Sequence, residues 1–198
     1  MRKTLVVLII TLVALKLSPV SAFAAAPLET IQTQVDRALE VLRDPGLKAE
    51  SAKGIKEKKI WAILDVVFDY TELSKRTLAQ NWKRFSPDQQ KEFIGLFGKL
   101  LGTVYMDRII AYKDEKVVFG KVTNLSDKTA EVQSEVVRSS KPIPIHYRMI
   151  LENGEWRVYD VVIEGVSLVQ NYRTQFREIL TNKSPEDLLK TLREKTRK

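Results

Sequence analysis

Apolar residues recur every three or four positions from Pro27 to Leu42. Ile31, Val35, Leu39 and Leu42 fall on one side and predict an amphipathic helix. Asp44-Pro45-Gly46 ends it. Lys48 to Lys59 is polar and lysine-rich, a solvated helical segment or a connection. Ile60, Ile63, Leu64, Val67 and Phe68 then form a second apolar stripe, and Leu73 to Trp82 predicts a short helix with its own turn. The sharpest local signal is Ser86-Pro87-Asp88-Gln89: a serine N-cap, a proline at the first helical position, and a glutamine that completes a capping box. The helix it opens carries Phe93, Phe97, Leu100, Leu101 and Val104 on one face and runs to about Tyr112. Gly95, Gly98 and Gly102 lie inside it, each costing about 1 kcal/mol against alanine. They call for the close approach of another backbone, a kink, or a helix with freedom to move.

From Val117 the period changes to that of strands. Val117-Val118-Phe119 is one, and Thr129 to Val137 alternates Ala130, Val132, Ser134 and Val136 against Glu131, Gln133 and Glu135, a sheet with one wet face. Ile145 to Leu151 alternates again, and Asn153-Gly154 predicts a tight hairpin into Trp156. A two-residue turn there sets Leu151 against Trp156, Met149 against Val158, Tyr147 against Asp160 and Ile145 against Val162. The strand from Trp156 to Ile163 is apolar or aromatic at nearly every position, so each of its faces needs a cover. Glu164-Gly165 breaks it, and Ser167 caps a helix carrying Val169, Tyr172, Phe176 and Leu180. A last helix starts at Ser184-Pro185-Glu186-Asp187. Helices, a curved antiparallel meander of about four strands, then helices again make an α+β fold with helices packed on one side of the sheet.

The first 24 residues have a different character. Arg2 and Lys3 precede the apolar run Leu5 to Leu15, and Ala22-Phe23-Ala24 has the small-x-small form of a cleavage signal. A membrane span needs about 20 apolar residues. A cleaved secretory peptide is therefore expected, leaving residues 25–198 as an exported domain. The formal charge of +8 drops to +5 once Arg2, Lys3 and Lys16 are removed. A basic chain raises nucleic acid as a partner, but export and the lack of aromatics among the basic residues speak against it. Anionic membrane surfaces or acidic proteins remain, beside a merely well-solvated surface. With no cysteine there is neither a disulfide nor a lipobox thiol.

Catalytic chemistry finds little footing. A single histidine, His146, cannot form a multi-ligand zinc site, and its predicted place opposite the Tyr147 face suits a structural role. There is no Gly-x-Ser-x-Gly elbow and no phosphate-cradling glycine loop. Asp160, set among apolar residues, is either a general base or a structural carboxylate bonded to Tyr147, Arg148 or Arg173. Asp65 and Asp69, four apart at the edge of an apolar stripe, suit a solvated rim. Neither an enzyme nor a cofactor or metal site is expected.

Several stretches together resemble the MlaC-type, or toluene-tolerance, family of periplasmic lipid-binding proteins. They are Asp69-Tyr70 with Leu73 to Trp82, Ser86 to Phe93, Phe97 to Tyr105, and above all VYDVVIEGVSLVQNYRTQF. Ala79 departs from that pattern, in which glycine follows the leucine. The resemblance implies an NTF2-like sheet with helices enclosing an apolar cavity, acyl chains bound inside and the head group left towards solvent. It further implies a carrier moving phospholipid between an outer-membrane lipoprotein complex and an inner-membrane ABC transporter with an MCE-domain protein. No cofactor and no catalytic residue carries over. Face assignments then nominate lining residues: Phe93, Phe97, Leu100, Leu101 and Val104 from the capped helix, with Tyr105 at the mouth. Tyr147, Met149, Leu151, Val158 and Val162 come from the sheet, and Val169, Tyr172 and Phe176 from the helix that follows. The basic segments Lys53 to Lys59 and Lys190 to Lys198 are candidates for guiding docking.

Overall fold

A computed structural model describes residues 26–112, 115–137 and 141–197. The expected signal segment, residues 1–24, lies outside the described residues. Among the described residues, six α-helices and five strands follow in the order α1 (Pro27–Arg43), α2 (Lys53–Val67), α3 (Tyr70–Leu78), α4 (Pro87–Ile110), β1 (Lys116–Ser126), β2 (Thr129–Val137), β3 (Ile143–Glu152), β4 (Glu155–Ile163), β5 (Val166–Ser167), α5 (Leu168–Asn182) and α6 (Pro185–Lys195). The strands form one open antiparallel sheet in sequence order. Bulges interrupt β1 twice and β4 once, and bulges bend the strands that carry them. The expected α+β arrangement with a curved sheet is the one observed.

Local chemistry explains where the elements begin. Ser86 Oγ accepts from Gln89 N at 3.3 Å and Gln89 Oε1 accepts from Ser86 N at 3.1 Å, so the box expected at α4 is closed from both sides. Ser184 and Asp187 form a second box at α6. Ser167 Oγ accepts from Gln170 N at the start of α5. Asp69 is the N-cap of α3, accepting from Glu72 N at 2.8 Å, a more specific role than that of a solvated rim. Asn153 and Gly154 both have positive φ, 52° and 84°, as the tight hairpin requires.

Ala79, after α3, adopts φ 50° and ψ −122°, a conformation in which a Cβ crowds its own backbone. A left-handed L-residue costs about 1–2 kcal/mol, and glycine gives back about 0.5–1 kcal/mol of that through lost chain freedom. Ala79→Gly is therefore expected to stabilise the protein by about 1 kcal/mol. For a domain of this size that corresponds to a rise of about 2–4 °C in the melting midpoint, read by circular dichroism. An unchanged or lower midpoint would refute the strain.

Three apolar clusters hold the layers together. The first joins α3, α4, α5 and α6 around Phe93, Phe97, Tyr172 and Phe176, whose rings meet at 5.1–5.6 Å, mostly edge to face. The second lies between the sheet and α1 with the end of α2, around Ile31, Val132, Met149, Val158 and Leu168. The third, around Leu42, Ile60 and Met106, ties α1 and α2 to the C-terminal half of α4. The first cluster is closed. The second and third do not meet, and an apolar space is left between them.

The predicted register between β3 and β4 holds only near the hairpin. Leu151 pairs with Trp156 and Met149 with Val158, as the turn dictates. Beyond them a bulge leaves Tyr159 unpaired, and both Tyr159 and Asp160 fall opposite Arg148. Tyr147 therefore pairs with Val161 instead of Asp160, and Ile145 with Ile163 instead of Val162. One extra residue turns every later side chain to the opposite face. Asp160 and Val162 leave the inner wall, and Val161 and Ile163 replace them.

Candidate functional site

The space between the second and third clusters is an open cavity of about 650 Å³. Helix α1 contributes Val35, Ala38, Leu39 and Leu42, and α2 contributes Ile60, Trp61, Ile63, Leu64 and Val67. The sheet forms the floor through Val136, Ile143, Ile145, Tyr147, Val161 and Ile163. Helix α4 closes one side with Leu101, Tyr105, Arg108 and Ile109. Gly98 and Gly102 also line it, because two aromatic rings lie on them. A Cβ on Gly102 would come within 1.8 Å of the Trp61 ring, and one on Gly98 within 3.2 Å of the Tyr70 ring. Side-chain rings, not another backbone, are what these glycines admit, and α4 runs unbroken past them. Gly95 has nothing within 4 Å of a Cβ.

The cavity wall is apolar save for a few polar tips. Tyr70, Tyr105 and Tyr147 all have phenol pKa values raised above the ordinary one, in each case chiefly by burial. They stay neutral at physiological pH and add no charge to the wall. Tyr112 is held from outside: its hydroxyl accepts from Arg43 Nη2 at 2.7 Å and donates to the Glu115 carbonyl.

Of the residues nominated from sequence, Leu101, Tyr105 and Tyr147 line the cavity. Phe93, Phe97, Leu100, Val169, Tyr172 and Phe176 do not, being locked in the closed first cluster. Helix α4 explains the split, since its N-terminal half packs on α5 and α6 while its C-terminal half overhangs the cavity. Val104 points to solvent, 41% exposed. Val158 is fully buried in the second cluster, and Leu151 pairs with Trp156 near the hairpin, away from the cavity. Val162 sits on the outer face because of the bulge. Met149 lines a smaller pocket of about 240 Å³ near the hairpin, divided from the main one by Ile31, Gln34 and Val67. The contribution of α1 and α2 was not assigned from sequence. Their stripes were visible, but a stripe that packs and a stripe that faces empty space have the same period.

Asp160 proves to be a joint between elements. Its Oδ2 accepts from Ser167 Oγ at 2.6 Å and Arg148 Nη1 at 3.2 Å, and its Oδ1 accepts from Val169 N at 3.0 Å. Arg148, one of the three partners expected for it, also pairs with Glu131, and His146 Nδ1 lies 3.6 Å from the same glutamate. All of this is on the face away from the cavity. Among the described residues no cluster of three metal-capable side chains occurs, and no helix is long and apolar enough to cross a membrane.

An open antiparallel sheet roofed by helices, with an open apolar cavity between them, defines the chain as an α+β protein with an apolar pocket between its layers. Residues 32–194 match the family model described as MlaC protein, and the chain belongs to that family. It is 24% identical over 119 residues to the intermembrane phospholipid transport system binding protein MlaC of Haemophilus influenzae, covering 58% of this chain and 56% of that protein. It is 25% identical over 132 residues to the toluene tolerance protein ttg2D of Pseudomonas putida, covering 66% and 61%. The aligned regions thus span less than two thirds of either relative. Its fold is similar to that of the phospholipid-binding protein from Ralstonia solanacearum solved in complex with a phospholipid. The TM-score is 0.76 at 24% identity, over 87% of this chain and 97% of that one.

Proposed function

We propose that the protein is a periplasmic phospholipid carrier that holds acyl chains in the 650 Å³ cavity. The observation that carries this reading is an open space walled almost wholly by aliphatic and aromatic side chains, in a chain of the MlaC family. The name of the Haemophilus influenzae relative points the same way through intermembrane phospholipid transport, and the similar Ralstonia solanacearum fold was solved with a phospholipid bound.

Energetics favour a carrier over a chemical site. At roughly 30 Å³ per methylene-sized group the cavity holds about 20 of them, a full acyl chain and part of another. Each methylene is worth about 0.8 kcal/mol out of water, so escape into solvent is opposed by on the order of 16 kcal/mol. Transfer between bilayer and cavity is close to neutral by the same reasoning. Loading and unloading then belong to docked states, at an inner-membrane ABC transporter with an MCE-domain protein and at an outer-membrane lipoprotein complex. An enzyme using Asp160 is the weaker reading, since both carboxylate oxygens are committed to structural donors.

Protein purified from cells and extracted with organic solvent should yield phospholipid by mass spectrometry, and native mass spectrometry should show the same mass bound. Folded protein that is repeatedly empty, and takes up no lipid from vesicles, would refute the proposal.

A further inference from the structure

Three of the residues lining the cavity are exposed: Arg108 and Ala111 at the C-terminal end of α4, and Glu164 in the turn between β4 and β5. They mark its mouth. Arg108 and Glu164 are also the only charged side chains among the described lining residues. We propose that these two read the lipid head group, Arg108 by binding it and Glu164 by sorting it. Arg108 holds the phosphate that every phospholipid carries, and Glu164 favours a head group ending in an ammonium over an anionic one. This inference rests on the carrier function proposed above.

With acyl chains in the apolar interior, the head group is left at the rim, where these two side chains are the charges it meets first. Arg108 makes no ion pair among the described residues, and the neighbouring Asp107 is taken by Lys53 at 3.3 Å. Its guanidinium lies 5.8 Å from the centroid of the Tyr105 ring, which also lines the cavity, so a cation–π contact holds it against the wall. A planar fork of donors held in that position suits a phosphate. Glu164 likewise makes no ion pair among the described residues. Its backbone has φ 49°, and its N–H donates to the Pro144 carbonyl at 3.0 Å, which anchors the turn at the rim. Glutamate is a poor choice for that backbone angle, where glycine or asparagine sits more easily. A carboxylate at this place attracts an ammonium group and repels a second negative charge.

The test uses vesicles of equal parts phosphatidylethanolamine and phosphatidylglycerol with identical acyl chains. The protein is incubated with them and re-isolated, and its lipid is quantified by mass spectrometry. The wild-type protein should be enriched in phosphatidylethanolamine roughly threefold or more, the scale of a single exposed charge contact. Glu164→Gln should abolish the enrichment. Arg108→Gln should lower the total roughly three- to tenfold and keep the ratio. Both positions are exposed, and thermal melting of the variants should match wild type. Wild-type uptake in the vesicle ratio overturns the inference, as does an unchanged ratio in Glu164→Gln or an undiminished total in Arg108→Gln. In each of those cases the carrier reading stands. No uptake by the wild type would overturn both.

Discussion

Asp160→Ala should cost about 3 kcal/mol of folding stability or more, a large share of the roughly 5–15 kcal/mol that holds a domain together. The carboxylate is 2% exposed and accepts from three donors on three parts of the chain: Arg148 on β3, Ser167 on β5 and Val169 at the start of α5. Hydrogen bonds to a charged group contribute about 1.5–3 kcal/mol each, and a buried donor left without an acceptor adds a penalty of its own. Arg148 is partly exposed and keeps Glu131, so the loss falls mainly on Ser167 Oγ and the Val169 N–H. Asp160→Asn keeps the shape but turns an NH2 group towards one of these donors, and should recover only part of the difference. Urea unfolding of the three proteins measures it. A shift below about 1 kcal/mol in the alanine variant would show that the joint is dispensable. Lipid held per folded molecule should not change, because the carboxylate is on the far side of the sheet from the cavity.

The second large effect separates the cavity from the core. Ile145→Trp should cut extracted lipid several-fold while the protein still melts cooperatively, since Ile145 is half-buried on the cavity floor and tryptophan suits a strand. Phe97→Ala should do the reverse. Phe97 is fully buried, with the rings of Phe93, Tyr172 and Phe176 within 5.4 Å, and its truncation should cost about 3–5 kcal/mol. The surviving folded fraction should carry its usual lipid. If Phe97→Ala empties the protein and Ile145→Trp does not, the cavity has been placed on the wrong side of α4.

That contrast also measures how far the sequence could be read. Three helix starts that rest on a local bond were legible, the box at Ser86 and the caps at Ser184 and Ser167, because each depends on residues three apart; the equally local cap at Asp69 was read as a solvated rim. The Asn153-Gly154 hairpin was legible for the same reason. It set the first two pairs of β3 and β4, and the register then failed at Tyr159, because nothing in the local pattern marks the bulge. The bulge is where Asp160 turns away to meet the start of α5, a contact that no residue spacing encodes.

The faces of α4 show the same division. Phe93, Phe97 and Leu100 were nominated because they share an apolar face of the helix with Leu101 and Val104. That part of the face packs against residues of α5 and α6. The residues that do face the cavity include two glycines, whose role appears only once Trp61 and Tyr70 lie on them. The sequence by itself determined the main helices and strands, the caps at Ser86, Ser167 and Ser184, the hairpin and the family, because each depends on residues close together in the chain. Whether an apolar stripe meets another stripe or faces empty space was decided by the tertiary structure, because a gap between layers depends on how far apart distant segments are held.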